Sequence, residues 1–407
     1  MDDEVINEII SKFPGTKRSA QGVVFPTGDG GLFHLTALHD SEALEGLSSD
    51  ETFYLAFCAK KEILRLRELR NSHDYLLRLR ASSIVDSPRL VRVMAARKKE
   101  FQKAGRLWSL THYYHSRDHY HKYYIDQLQK ENAKIAKKTP SGLVFSAEVN
   151  AMCMRSFVGD VVIASESLEY FYYFMTIAFY GGALGIKPID RADALIIAVR
   201  LLLGSEALDF DLDPRGSLSV DVERRVVEMV ANQMKFTFGH EYAHLLCGHL
   251  TEPDMLIKLN TFNDGVDNEQ KIKVYNHDLE FQADIFSLKN VEHNYDAFVA
   301  VAHGAFSVLI YLHFIDLISE ICDLPKFAVS LTHPTPKQRI ESLHKNLGRK
   351  SPYGSQHLLD AFATSEKMVR LFKKRVASAD REDILGFYGS IYLPSFTHKI
   401  KRDRYDF

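Results

Sequence analysis

Cysteine is scarce in this chain: Cys58, Cys153, Cys247 and Cys322 are the four among 407 residues. Their scattered spacing argues against a disulfide framework and fits a reducing compartment. Charge imbalance is lacking as well. Lys and Arg number 51 against 53 Asp and Glu, a formal net of −2, so the molecule as a whole has no electrostatic bias towards nucleic acid or anionic lipid. The opening residues carry Asp2, Asp3, Glu4 and Glu8 where a secretory leader would be basic and then apolar. No long hydrophobic run is free of ionisable groups. The most membrane-like stretch, Ala297 to Cys322, carries His303, His313, Asp316 and Glu320, which are expensive in lipid. It is expected to be a buried helix rather than a membrane span, and the expected location is the cytoplasm. Internal repeats and low-complexity tracts are absent too.

What is present is the composition of an ordinary globular protein, 46% apolar and 26% charged. A length of 407 residues exceeds what one core usually supports, so more than one domain is expected. Residues 1 to about 57 look mixed, with a small hairpin expected where Gly22–Gly28 and Gly31–Leu35 alternate weakly around a glycine-rich turn. Between Lys60 and Arg106 fourteen Lys or Arg face five Asp or Glu, a local net of +9 on helix-favouring sequence. No nucleic-acid motif accompanies that charge, and such runs are usually solvated helix faces, so a nucleic-acid partner is not expected. His112, His115, His119 and His121 follow, without the Cys or carboxylate pattern that would make them a metal site.

Ser141 and Gly142 are the first clear punctuation. Beyond them strands are expected at 143–146 and 161–164, and helices at 166–180, 190–203, 220–250, 277–290 and 296–322. Ser219 reads as a helix N-cap, with Asp221 and Glu223 in the favourable first turn. The organisation this implies is a mixed, then basic and helical N-terminal domain over 1–140, for recognition or regulation. A second domain over 141–350 and a helical extension over 351–407 follow. The fold class is mainly α with a small β-sheet.

The decisive run is His240-Glu241-Tyr242-Ala243-His244, inside sequence that otherwise reads as a helix. Two histidines four apart lie about 40° apart around a helix, so both imidazoles can reach one cation. Glu241 then falls beside the metal rather than on it, which suits a base for a bound water. His249, nine positions after His240, would point about 180° away along a continuous helix, and it is set aside as a ligand. Downstream, Glu280 and Asp284 are four apart on a helical segment and share a face. Glu280 can supply a carboxylate ligand, and Asp284 can orient a ligating imidazole. Two His and one Glu suit one zinc ion per chain. Gly239 either permits close packing beneath the metal or marks a helix break, and Cys247 is read as a buried structural thiol.

His-Glu-x-x-His followed by Glu-x-x-Ala-Asp resembles the gluzincin metallopeptidases that include the CAAX prenyl endopeptidases and the bacterial heat-shock zinc protease. Two further marks of that family have counterparts here. Asn150-Ala151 and the run Val161–Leu168 precede the metal helix, and His333-Pro334 is followed by Arg339. The resemblance covers Glu148 to Leu343, about half the chain, and departs from the family in lacking convincing transmembrane helices. It implies a zincin-like domain and peptide-bond hydrolysis. His333 would stabilise the oxyanion, with Arg339 supporting it or binding substrate, and Asn150 and Ala151 would lie on an edge strand that takes an extended peptide. The soluble Lit-type phage-exclusion peptidases are a looser comparison, and from them comes the expectation of a defence or stress role. The partners expected are a protein or peptide substrate and an activating or inhibitory partner acting through residues 1–140. The competing expectation is a non-catalytic, zinc-stabilised helical scaffold that binds a protein or nucleic-acid partner.

Overall fold

A computed structural model of the chain describes residues 3–19, 22–28, 31–35, 44–117, 119–250, 256–258, 277–319, 321–322, 334–378, 382–386 and 390–396. An outlying unit opens the chain. Helix α1 (Asp3–Lys12) packs on an antiparallel sheet of β1 (Lys17–Ser19), β2 (Gly22–Pro26) and β3 (Leu32–Leu35). The expected hairpin is the β2–β3 pair, in which Phe25 faces Phe33.

Among the described residues a four-residue helix, Ser49–Thr52, comes next, and six longer ones follow before the second sheet: α2 (Lys60–Leu66), α3 (Ser72–Val85), α4 (Pro88–Lys103), α5 (Leu110–Arg117), α6 (Tyr120–Asp126) and α7 (Lys130–Ala136). Part of their basic charge is turned inward. Arg80 donates to the Leu143 carbonyl at 2.9 Å, Arg89 to the Glu206 carbonyl at 2.6 Å and Lys98 to the Leu55 carbonyl at 2.8 Å. Arg97 is buried against Glu166 and Asp211, and Arg65 holds Asp74 at 2.6 Å. Several of these cations serve as internal ties, so the local excess of +9 overstates the positive surface.

The second sheet runs β4 (Ser141–Val144), β6 (Gly159–Ser165), β5 (Ala151–Ser156), β7 (Leu256–Lys258) in spatial order. β4 is parallel to β6, while β5 is antiparallel to both its neighbours. Strand side chains alternate between faces, and along β6 both faces are covered. Val161 and Ile163 pack with Leu76 of α3 on one side, whereas Val162 and Ala164 join the main core on the other. That explains why 161–164 reads as an unbroken apolar run rather than an alternating one.

Ser165 ends β6 and caps α8 (Glu166–Tyr180), its hydroxyl accepting from the Leu168 amide. The remaining helices are α9 (Pro188–Leu202), α10 (Val220–Leu246), α11 (His277–Lys289), α12 (Tyr295–Ile318), α13 (Pro336–Leu347) and α14 (Ser355–Val376). Mostly helical with two small sheets, the chain has an α+β architecture. One core extends from Leu55 to Leu393 without interruption at position 141.

α12 is long and apolar enough to cross a membrane by composition, yet 78% of its most apolar window is buried in the protein. Its Tyr311 and Ser307 bond inward: the Gln233 amide of α10 reaches both Tyr311 and Thr176 of α8 at 3.1 Å, and Ser307 meets Tyr180 at 2.8 Å. Ser219 stands at the N-cap of α10 but makes no capping bond through its side chain. Helix α10 passes unbroken through Gly239. A Cβ there would stand 2.6 Å from the Tyr124 ring, so close approach of α6, rather than a break, accounts for the glycine.

Candidate metal centre

Two helices converge on one buried point. α10 presents His240 and His244 one turn apart, and α11 lies against it with Glu280 in its first turn. The Nε2 atoms of the two histidines are 3.1 Å apart. Each lies 3.5 Å from a Glu280 carboxylate oxygen. One ligand atom from each of the three residues falls within 4.8 Å of the others, and all three side chains are buried. Among the described residues no second group of this kind occurs. His112 instead meets the Leu107 carbonyl, and His121 packs on Phe238.

The outward nitrogens are also engaged. His240 Nδ1 lies 3.0 Å from Asp284 Oδ1. Arg339 then grips both oxygens of Asp284, Nε to Oδ2 at 2.8 Å and a terminal nitrogen to Oδ1 at 2.6 Å. Its other terminal nitrogen lies 3.5 Å from Glu280. Thr335 makes this possible, because its capping box with Gln338 starts α13 and places Arg339 one turn inside. Arg339 is therefore no surface ion-pair residue. It binds Asp284, the carboxylate behind His240, and lies near the ligand Glu280. His333 lies outside the described residues.

His244 Nδ1 faces His249 Nδ1 at 2.8 Å, and His249 Nε2 faces Gln282 Oε1 at 2.9 Å. Setting His249 aside assumed a helix continuing to residue 250. α10 stops at Leu246, and Gly248 has φ +71°, so the chain folds back over the helix end. A glycine two residues past the last helical position is the signal that would have revealed this.

Glu241 is fully buried beside the ligands. Neither of its carboxylate oxygens has a hydrogen-bond partner. The Cys153 amide of β5 is close enough to favour its charged form but not in bonding geometry. Burial dominates and pushes the carboxyl up to about 8, opposed by His240 and reinforced by Glu280. The two histidines are driven apart. Burial would lower His240, but Asp284 and Glu280 outweigh it and raise the ring to about 9. His244 is held well below its ordinary range by burial and by its charged neighbour His240. Burial works against ionisation of Asp284, and Arg339 and His240 overcome it, keeping the carboxylate ionised. The half-buried Cys247 thiol is raised to about 11 by burial.

Asn150 and Ala151 sit at the start of β5. Asn150 is buried, its amide donating to the Ser165 hydroxyl at 3.0 Å and its side-chain NH2 to Glu148 at 3.1 Å. Ala151 pairs with Ala164 of β6. β5 is not a free edge. β7 pairs along it from Met152 to Met154, so the expected peptide-binding edge is occupied by the chain's own main chain. Comparison with protein-family models, characterised proteins and solved structures gives no match.

Proposed function

We propose that the chain is a zinc-dependent endopeptidase of the gluzincin type, acting on a protein substrate. The observation that supports this most strongly is Glu241. A buried carboxylate with no hydrogen-bond partner is costly, and a structural site has no need of one beside its ligands. A base for a reacting water has that need. The donor set fits the metal, since two imidazoles and one carboxylate are the ligands of catalytic zinc sites. When bound, zinc would lower the pKa of a coordinated water towards neutrality and polarise the scissile carbonyl.

The protein groups have separable tasks. His240 and His244 present their Nε2 atoms, and Glu280 its carboxylate. Asp284, fixed by Arg339, keeps the His240 ring in place. Glu241 takes the proton of the attacking water on a carboxylate oxygen and passes it to the leaving amine. Because the base and ligands are buried, a polypeptide reaches them only after a rearrangement, which supports a regulated enzyme rather than a freely active one. The same burial favours a second reading, a zinc-stabilised scaffold in which the metal is structural.

Glu241→Gln separates the two. The peptidase reading expects zinc retained and proteolysis reduced by on the order of 100-fold or more. Zinc bound by a wild type that cleaves nothing and only binds a partner would favour the scaffold, and unchanged cleavage by the variant would remove Glu241 as the base.

A further inference from the structure

The end of α10 brings His249 onto His244. Gly248 at φ +71° turns the chain, the His249 amide donates to the His244 carbonyl at 2.9 Å, and the Gly248 amide donates to the Leu245 carbonyl at 3.2 Å. This pair of bonds is the Schellman arrangement, which folds the second residue past the cap back over the third-last helical residue. Here those two residues are His249 and His244, with ring centroids 5.0 Å apart.

Donor and acceptor roles along the contact follow from one end. The Gln282 side-chain oxygen, 2.9 Å from His249 Nε2, can only accept, so His249 Nε2 carries the hydrogen. A neutral imidazole protonated there has a bare Nδ1. His244 Nδ1, 2.8 Å away, must then be the donor, since two bare or two protonated nitrogens would repel. His244 is left with a bare Nε2, the atom that faces His240 and Glu280.

We propose that His249 and Gln282 are positioning residues that fix His244 as its Nδ1–H tautomer and aim a bare Nε2 at the metal. The two ligands are thereby oriented by different devices, a carboxylate clamped by Arg339 for His240 and a neutral imidazole–amide relay for His244. Gln282 lies on the same helix as Glu280, so the relay also ties the end of α10 to the helix that supplies the carboxylate. This inference rests on the metal reading of the site.

The test measures zinc affinity of the full chain by competition with a chromophoric chelator, in variants chosen for hydrogen-bonding role. His249→Leu fills space without accepting, and Gln282→Lys can only donate. Both are expected to weaken zinc binding by on the order of 10- to 100-fold, the usual effect of losing a group that orients a ligand. His249→Asn and Gln282→Glu keep an acceptor where one is required, and both are expected to stay near wild type. Equal losses in His249→Leu and His249→Asn, or no loss in Gln282→Lys, would overturn the relay.

A second readout does not depend on any variant folding. Two-bond proton–nitrogen correlation spectra of the histidine-labelled, zinc-stripped wild type are expected to show His244 protonated at Nδ1, and protonation at Nε2 would refute the proposal. If the wild type takes up no zinc, the peptidase reading fails, while the tautomer spectrum still decides this one.

Discussion

Replacing Gly239 with Ala tests how tightly the N-terminal helices are fitted beneath the metal helix. On helix propensity alone the change should stabilise by about 1 kcal/mol. The structure predicts the opposite sign. The new methyl would lie 2.6 Å from Cε2, 2.7 Å from Cζ and 3.0 Å from the hydroxyl of Tyr124, so the ring would have to retreat by roughly 1 Å to reach ordinary contact. Tyr124 is poorly placed to do so. Its hydroxyl donates to the Ser287 carbonyl of α11 at 2.8 Å, and its ring stacks on Tyr242 at 6.1 Å and 5°. Overpacking of this kind costs about 1–3 kcal/mol, and breaking the buried hydrogen bond adds about 1–3 kcal/mol. After the propensity gain of about 1 kcal/mol, the net expectation is a loss of about 1–5 kcal/mol. Denaturant unfolding of Gly239→Ala is to be compared in the wild-type and Tyr124→Ala backgrounds. The substitution should destabilise the first and become neutral or stabilising in the second. A stabilised Gly239→Ala, or the same cost in both backgrounds, would refute the close-approach account.

Arg339→Met leaves Asp284 and Glu280 as buried carboxylates without their cation, and the zinc-stripped chain should lose about 3–5 kcal/mol. Adding Asp284→Asn should recover part of that in urea unfolding, and no recovery would mean the pair is not the cause. His121 gives a pH dependence. Burial, with smaller contributions from Lys122 and Arg80, lowers its pKa from 6.5 to about 3. The unfolded chain therefore takes a proton that the folded one refuses, and stability falls as pH drops below about 6.5 towards about 3. Between about pH 7 and about pH 5 the stability gap between wild type and His121→Phe should shift against the wild type by about 2 kcal/mol. A pH-independent gap would contradict the assignment.

Where periodicity and punctuation were strong, the sequence was a good guide to the elements. The helix expected over 166–180 is observed as Glu166–Tyr180, and the one expected over 296–322 as the buried Tyr295–Ile318 helix, which ends four residues earlier. The i, i+4 pairs His240 and His244, and Glu280 and Asp284, were legible because a helical turn fixes which side chains share a face. Contacts set by chain reversal or by distant elements were not. His249 is not among the three grouped ligands, but its fold back onto His244 was not legible, because a Gly inside a helical pattern can continue the helix or end it, and Gly239 and Gly248 do one each. Nothing local marks Arg339 as a partner of Asp284, since that pairing depends on how α13 docks against α11. Nor does β5 announce that β7 will cover it, because three-residue strands leave almost no periodic signal. The basic stretch shows the same limit. Composition counts the charges of Arg80, Arg89, Arg97 and Lys98 but not the carbonyls and carboxylates that tertiary packing brings to them.

The most direct test of the account is metal content of the purified chain by plasma mass spectrometry, with His244→Ala and Glu280→Ala alongside. The account predicts about one zinc per wild-type chain and its loss from both variants. Zinc retained in both, or no metal in the wild type, would contradict it.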